Sequence, residues 1–180
     1  MTTASSMRTL NSLNRLLTPG VATPLAHYLA RAVAALAPGR LLGLAETANG
    51  HDPTIVWRAS APGGASLMLF VWPAGAATPV HDHTSWGVYA CLSGELTEER
   101  YARLDNGARA DFARLRLLWR REWRWGGIST LRPYDGGIHR VANRGERPAV
   151  SLHIYGPRMA AIDGRDYDPA RDYVCDRVEG

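Results

Sequence analysis

The stretch Gly75-Ala76-Ala77-Thr78-Pro79-Val80-His81-Asp82-His83-Thr84-Ser85-Trp86-Gly87 decides the reading of this chain. His81 and His83 are two residues apart. On a strand, residues i and i+2 share a face, so both imidazoles can reach one point. Asp82 then points to the opposite face and is not assigned as a ligand. A third histidine, His139, lies in Gly136-Gly137-Ile138-His139-Arg140-Val141 and needs only a neighbouring strand to complete a trio. Three neutral imidazoles on one side of a metal leave the other coordination positions open for chemistry. By the same alternation, Arg140 faces away from that centre.

Outward from these histidines the texture is that of a β protein. Thr54–Ala59, Ser66–Trp72, Gly87–Leu92, Leu96–Tyr101, Ile128–Leu131, Ile138–Val141 and Ala149–Tyr155 are short runs rich in strand formers. Pro62-Gly63-Gly64, Pro73-Ala74-Gly75, Ser93-Gly94, Asp105-Asn106-Gly107 and Gly126-Gly127 punctuate them as turns. That rhythm predicts an antiparallel sandwich or barrel, and Asp105-Asn106-Gly107 reads as a hairpin turn. The first 52 residues differ. Leu10, Leu13, Leu16 and Leu17 recur at helical spacing, and Thr23-Pro24 opens an alanine-rich segment that Pro38-Gly39 stops. The expected organisation is one domain: a helical segment, 1–52, packed on the outside; a β-barrel, 53–160, carrying the metal site; and a polar tail, 161–180, wrapping the surface.

Composition narrows the function classes. The chain has 180 residues, 46% hydrophobic and 21% charged, ordinary for a soluble domain. The net charge of +4 comes from arginine alone, because lysine is absent. Arg114, Arg116, Arg120, Arg121 and Arg124 interleave with Trp119, Trp123 and Trp125, a pattern that nucleic-acid binders also show. Alternation favours an exposed strand face backed by buried tryptophans, so no nucleic-acid partner is expected. Tyr28–Leu44 is interrupted by Arg31, Pro38, Gly39 and Arg40 and does not read as a membrane span. The N-terminus shows no signal-peptide pattern. Cys91 and Cys175 stand far apart without CxxC spacing, which suits reduced thiols in the cytoplasm.

The spaced positions around the histidines resemble the two cupin motifs. Gly75, His81, His83 and Gly94 fit the first, with Gly87 where a glutamate would stand. Gly127, Pro133, Gly136, His139 and Asn143 fit the second, with one extra residue between proline and glycine. In finer detail, over residues 54 to 158, the chain resembles the cysteine dioxygenase-like thiol dioxygenases. Leu67-Met68-Leu69-Phe70-Val71-Trp72, Gly94-Glu95-Leu96 and Ser151-Leu152-His153-Ile154-Tyr155-Gly156-Pro157 carry that likeness. The resemblance implies a single mainly β cupin. It implies that His81, His83 and His139 hold Fe(II), and that Ser151, His153 and Tyr155 form an outer relay. It implies that Arg58 grips a substrate carboxylate. The implied reaction oxidises a small carboxylate-bearing thiol with O2 to its sulfinate.

Departures from the pattern bear on the chemistry. Gly87 removes the ligand carboxylate of many cupins and the cysteine that animal members crosslink to the tyrosine, so no such crosslink is expected. Arginine at 58 favours L-cysteine, but Val56 stands where many arginine-type members have tyrosine. The 3-mercaptopropionate branch usually has glutamine in place of that arginine. Mercaptosuccinate would need a second cation. A non-enzymatic ligand-binding cupin and a zinc or manganese isomerase or hydrolase are the rival readings; the latter usually keep the missing glutamate. Oligomeric state is open.

Overall fold

Strands form where alternation places every second side chain between two layers. The computed structural model describes residues 52–60, 66–157 and 163–177. Eleven strands lie in these residues: β1 Thr54–Ser60, β2 Ser66–Trp72, β3 Val80–His81, β4 Gly87–Ser93, β5 Glu95–Arg103, β6 Leu115–Arg124, β7 Ile128–Leu131, β8 His139–Ala142, β9 Ala149–Tyr155, β10 Arg165–Asp168 and β11 Tyr173–Asp176. One sheet has the order β1-β2-β9-β4-β7 and the other β11-β10-β3-β8-β5-β6. Every ladder is antiparallel. This is the sandwich of two antiparallel sheets that the strand rhythm predicts.

The strands β4 and β9, central in the first sheet, are buried along almost their whole length. Their outer-facing residues Ala90, Leu92, Val150 and Leu152 cluster with Leu69 and Val71. Their inner-facing residues Tyr89, Cys91 and Ala149 meet Leu96 and Val141 of the opposing sheet, with Trp72. Fully burying one such aliphatic side chain is worth about 1.5–3 kcal/mol. The inner cluster joins the two sheets beside the site. Gly94, between β4 and β5, has a left-handed backbone with φ +72°, and a Cβ there would lie 2.9 Å from the Cα of Ala149. Both conformation and space demand glycine.

Three sequence expectations need revision. Residues 161–180 are more than a tail: β10 and β11 form a hairpin, and β10 pairs with β3 through Asp166–His81 and Tyr167–Val80. The β body therefore continues to Asp176. Asp105-Asn106-Gly107 does fall between β5 and β6, but the connection spans residues 104–114 and is no tight hairpin. Trp119 and Trp123 are half-buried, whereas Trp125 lies just past β6 and is 63% exposed. The helical segment expected over 1–52 lies outside the described residues, save Asp52. No helix among the described residues is long and apolar enough to cross a membrane.

Candidate metal centre and active site

Strand β3 ends at His81, so His83 follows it in an irregular turn rather than continuing the strand. His139 opens β8 and is the direct cross-strand partner of His81. The ligand-type atoms of His81, His83 and His139 all lie within 4.8 Å of one another. Nε2 of His83 and Nε2 of His139 are 3.2 Å apart. Two nitrogens at right angles on one ion, each at about 2.1 Å, would sit about 3 Å apart, so the spacing fits a shared cation.

The hydrogen bonds behind the rings set the tautomers. His81 Nδ1 is 3.0 Å from the carbonyl oxygen of Pro79, which can only accept. His139 Nδ1 is 3.1 Å from Oε1 of Glu98. Both rings therefore carry their proton on Nδ1 and keep the Nε2 lone pair for the shared point. Burial lowers the pKa of all three rings, and the neighbouring rings and Arg177 push His81 and His83 in the same direction. Neutral imidazole is the form that binds metal. The residues thus fit a divalent cation.

The other half of the site comes from the opposing sheet. Cross-strand register aligns Arg58 with Met68, Met68 with His153, and His153 with Tyr89. Ser151, His153 and Tyr155 occupy the inward positions of β9, and they form a continuous chain. Ser151 Oγ is 2.7 Å from Nε2 of His153, and Nδ1 of His153 is 3.0 Å from the Tyr155 hydroxyl. Trp72 Nε1–H donates to Ser151 Oγ at 2.8 Å and anchors the far end. Burial drives the His153 pKa down to about 3 and raises that of Tyr155. The chain is therefore neutral at ordinary pH. The Tyr155 ring also lies 4.9 Å from that of His83, centroid to centroid, which ties the relay to the histidine cluster.

Gly87 has a spatial role here. Directly opposite Tyr155 in the β4–β9 ladder, it would bring a Cβ to 3.0 Å from two ring carbons of that tyrosine. Glycine at 87 thus makes room for the last residue of the hydrogen-bonded chain.

A cavity of about 510 Å³ joins these groups. The three histidines line it, together with His153, Tyr155 and the apolar Met68 and Phe70. Arg58 reaches it from β1 with an exposed side chain. Val56, at the position where tyrosine is common in the resembling family, packs on the outer cluster, and Ile55 lines the cavity in its place. A register shift in β1 between Ile55 and Trp57 accompanies this turn of the chain.

Four contributors were not foreseen from the sequence. Glu98 backs His139, and alternation from the core residue Leu96 would have placed it facing inward. Trp72 extends the relay. Arg177 and Asp163 also line the cavity, and both belong to the segment read as a tail. Arg177 Nη2 donates to the carbonyl oxygens of Asp82 and Asp163 at 2.7 and 2.8 Å. Asp82 itself is fully buried and accepts from Tyr167 and Arg165, a structural role away from the ligand cluster.

Several known proteins are similar to this chain. Among solved structures, one is TT1209 from Thermus thermophilus, at 22% identity over 65% of this chain and 94% of that one, TM-score 0.46. Another is a conserved protein with a double-stranded beta-helix domain from Klebsiella pneumoniae, at 17% identity over 63% and 84%, TM-score 0.45. A Cupin 2 conserved barrel domain protein from Salinispora arenicola matches at 15% identity over 58% and 73%, TM-score 0.39. The family model for cysteine dioxygenase type I matches residues 52–168, a span that holds the three histidines and the relay. The chain belongs to the cysteine dioxygenase type I family.

Proposed function

We propose that the protein is an iron-dependent thiol dioxygenase, converting a small carboxylate-bearing thiol, L-cysteine first, to its sulfinate. The observation that carries this reading is a single cavity bounded by three neutral histidines, the Tyr155 end of a buried hydrogen-bond chain, and Arg58. Ferrous iron held by His81, His83 and His139 would supply an open-sided centre where a thiolate meets dioxygen, both oxygen atoms ending on sulfur.

The chain's own residues have separable tasks. Arg58 offers a planar fork of donors to the substrate carboxylate, a contact worth roughly 1.5–3 kcal/mol. It orients the thiol toward the histidines, which makes the meeting effectively intramolecular. Met68 and Phe70 keep that part of the cavity apolar. His153 has one ring nitrogen on each neighbour, so one nitrogen donates while the other accepts. When Ser151 O–H donates to Nε2, Nδ1–H donates to Tyr155 and the phenolic proton is directed elsewhere, into the cavity. When Tyr155 donates to Nδ1, the cavity loses that donor. The relay can thus offer or withdraw one hydrogen bond without charging the site.

A second reading concerns the substrate. Arg177 places a second guanidinium on the cavity wall, which favours a thiol with two carboxylates, such as mercaptosuccinate. The experiment is a panel of cysteine, 3-mercaptopropionate and mercaptosuccinate given to Fe(II)-loaded protein, with oxygen uptake and sulfinate measured together. Cysteine is expected to give stoichiometric uptake and product. Preference for mercaptosuccinate would move the assignment to the dicarboxylate. No uptake with any thiol would overturn the enzyme reading in favour of a non-catalytic ligand-binding cupin.

A further inference from the structure

Strand β5 carries two adjacent glutamates that point to opposite faces. Glu99 turns outward and gathers Arg120, Arg144 and the Tyr101 hydroxyl at the sheet surface. Glu98 turns inward and is wholly buried. Oε1 accepts from Arg100 Nη2 at 2.7 Å and from His139 Nδ1 at 3.1 Å. Oε2 accepts from Ser129 Oγ at 2.6 Å and from Trp123 Nε1 at 2.9 Å. Taking a carboxylate out of water is expensive, and an apolar core of the same volume is often at least as stable. A structural brace for Trp123 and Ser129 does not require the charge; the ion pair with Arg100 does use it, on the same oxygen that faces His139. The place of Glu98 one hydrogen bond behind His139 gives the charge a further use.

We propose that Glu98 is a positioning residue for the metal centre. It locks His139 as the Nδ1–H tautomer with Nε2 bare, and it supplies from behind that ligand the negative charge that glycine at 87 withholds from the ion itself. This inference rests on reading the three histidines as a metal site. Two further features agree with it. Both Glu98 oxygens are filled by donors, Arg100 and His139 on Oε1 and Ser129 and Trp123 on Oε2, which is the environment of a carboxylate. Tyr89 stacks on His153 at 5.0 Å with an interplanar angle of 14°, and the Glu98 charge adds to burial in raising its phenol pKa. Glu98 thus lies between the ligand His139 and the ring that stacks on His153.

Cobalt(II) is the test probe, because its visible spectrum reports the ligand field without turnover. Glu98→Gln keeps an acceptor oxygen for His139 and removes the charge. It is expected to weaken Co(II) binding about 10- to 100-fold in chelator competition and to shift the visible bands. Ser129→Ala removes a donor on the far oxygen without touching His139. It is expected to lower thermal stability and leave Co(II) affinity within about twofold. A folded Glu98→Gln that binds Co(II) as tightly as the parent, with the same spectrum, overturns the proposal. Should Glu98→Gln fail to fold, Glu98→Asp keeps the charge but retracts it from Nδ1. Weakened Co(II) binding supports the proposal, and unchanged binding overturns it. If the parent protein and His139→Ala both take up no Co(II), the metal-site reading itself fails, a result distinct from failure of the Glu98 role.

Discussion

Replacing Gly87 with alanine would put a methyl group 3.0 Å from the Tyr155 ring and 3.2 Å from Leu131 Cδ1. Something must give by a few tenths of an ångström, and the tyrosine ring is the group facing the cavity. Displacing its hydroxyl disturbs the bond to His153 and the approach to the histidine cluster. We expect Gly87→Ala to lower kcat about tenfold with KM and iron content changed less than twofold, because misplacement acts on geometry and not on carboxylate binding. Sulfinate formation at saturating thiol is the readout, and an unaltered kcat would show that the ring tolerates the contact. The sequence made the glutamate-to-glycine change legible at this position. It could not show the second reason for glycine, because Tyr155 is 68 positions away and the clash exists only once β4 and β9 pair.

At the scale of elements, the strand runs were legible where a mostly apolar stretch of about seven residues was bounded by turn residues, as in β2, β4 and β9. The C-terminal hairpin was not. Arg165-Asp166-Tyr167-Asp168 and Tyr173-Val174-Cys175-Asp176 each bury only one side chain, Tyr167 and Val174. Such short charged strands look like surface chain. Their stability comes from packing of Tyr167 and Val174 against Val80, Ala113 and Ile138, and from a buried ionic contact that pattern reading cannot see. The fully buried Asp82 accepts from the Arg165 amide at 2.7 Å, from Arg165 Nε at 2.9 Å and from the Tyr167 hydroxyl at 2.8 Å. The ladder between β3 and β10 has only two residue pairs, so this contact adds to the apolar cluster in attaching the hairpin beside His81. Asp82→Asn removes the charge and turns an amide N–H toward existing donors. Breaking one partner of a buried pair costs about 3–5 kcal/mol. We expect a lower urea midpoint and faster proteolysis within residues 163–177. Since Arg177 donates to the Asp82 carbonyl, discrimination among the thiols of the panel should change as well. A variant with the parent's midpoint would place the hairpin's stability elsewhere.

Across the whole molecule, the chemistry is divided between the sheets. The sheet containing β3 and β8, with the turn after β3, supplies the three histidines, and the sheet containing β1 and β9 supplies Arg58 and the hydrogen-bonded chain of Ser151, His153 and Tyr155. The site exists only while the sheets are stacked, so groups that destabilise the stack when charged also govern the site. His81, His83, His139 and His153 are buried with pKa values below that of an exposed histidine, His153 down to about 3. In the unfolded chain each would titrate near 6.5. Below that pH the unfolded state binds more protons than the folded one, so stability is complete above about pH 6.5 and is lost as the pH falls from there toward 3. Each such histidine contributes a slope of up to about 1.4 kcal/mol per pH unit. Metal binding uses the same neutral rings, so it adds stability near neutral pH, about 2.7 kcal/mol at a free concentration 100 times Kd, and that gain shrinks on acidification. Urea unfolding of metal-free protein at pH 7.5, 6.5 and 5.5 should therefore give a small first decrement and a steep second one. Added Co(II) should widen the gap between the loaded and metal-free curves at pH 7.5 and leave little of it at pH 5.5. A metal-free stability that stays flat from pH 7.5 to 5.5 would mean that the four rings accept protons without disturbing the fold, and the neutral histidine cluster on which the site depends would not stand.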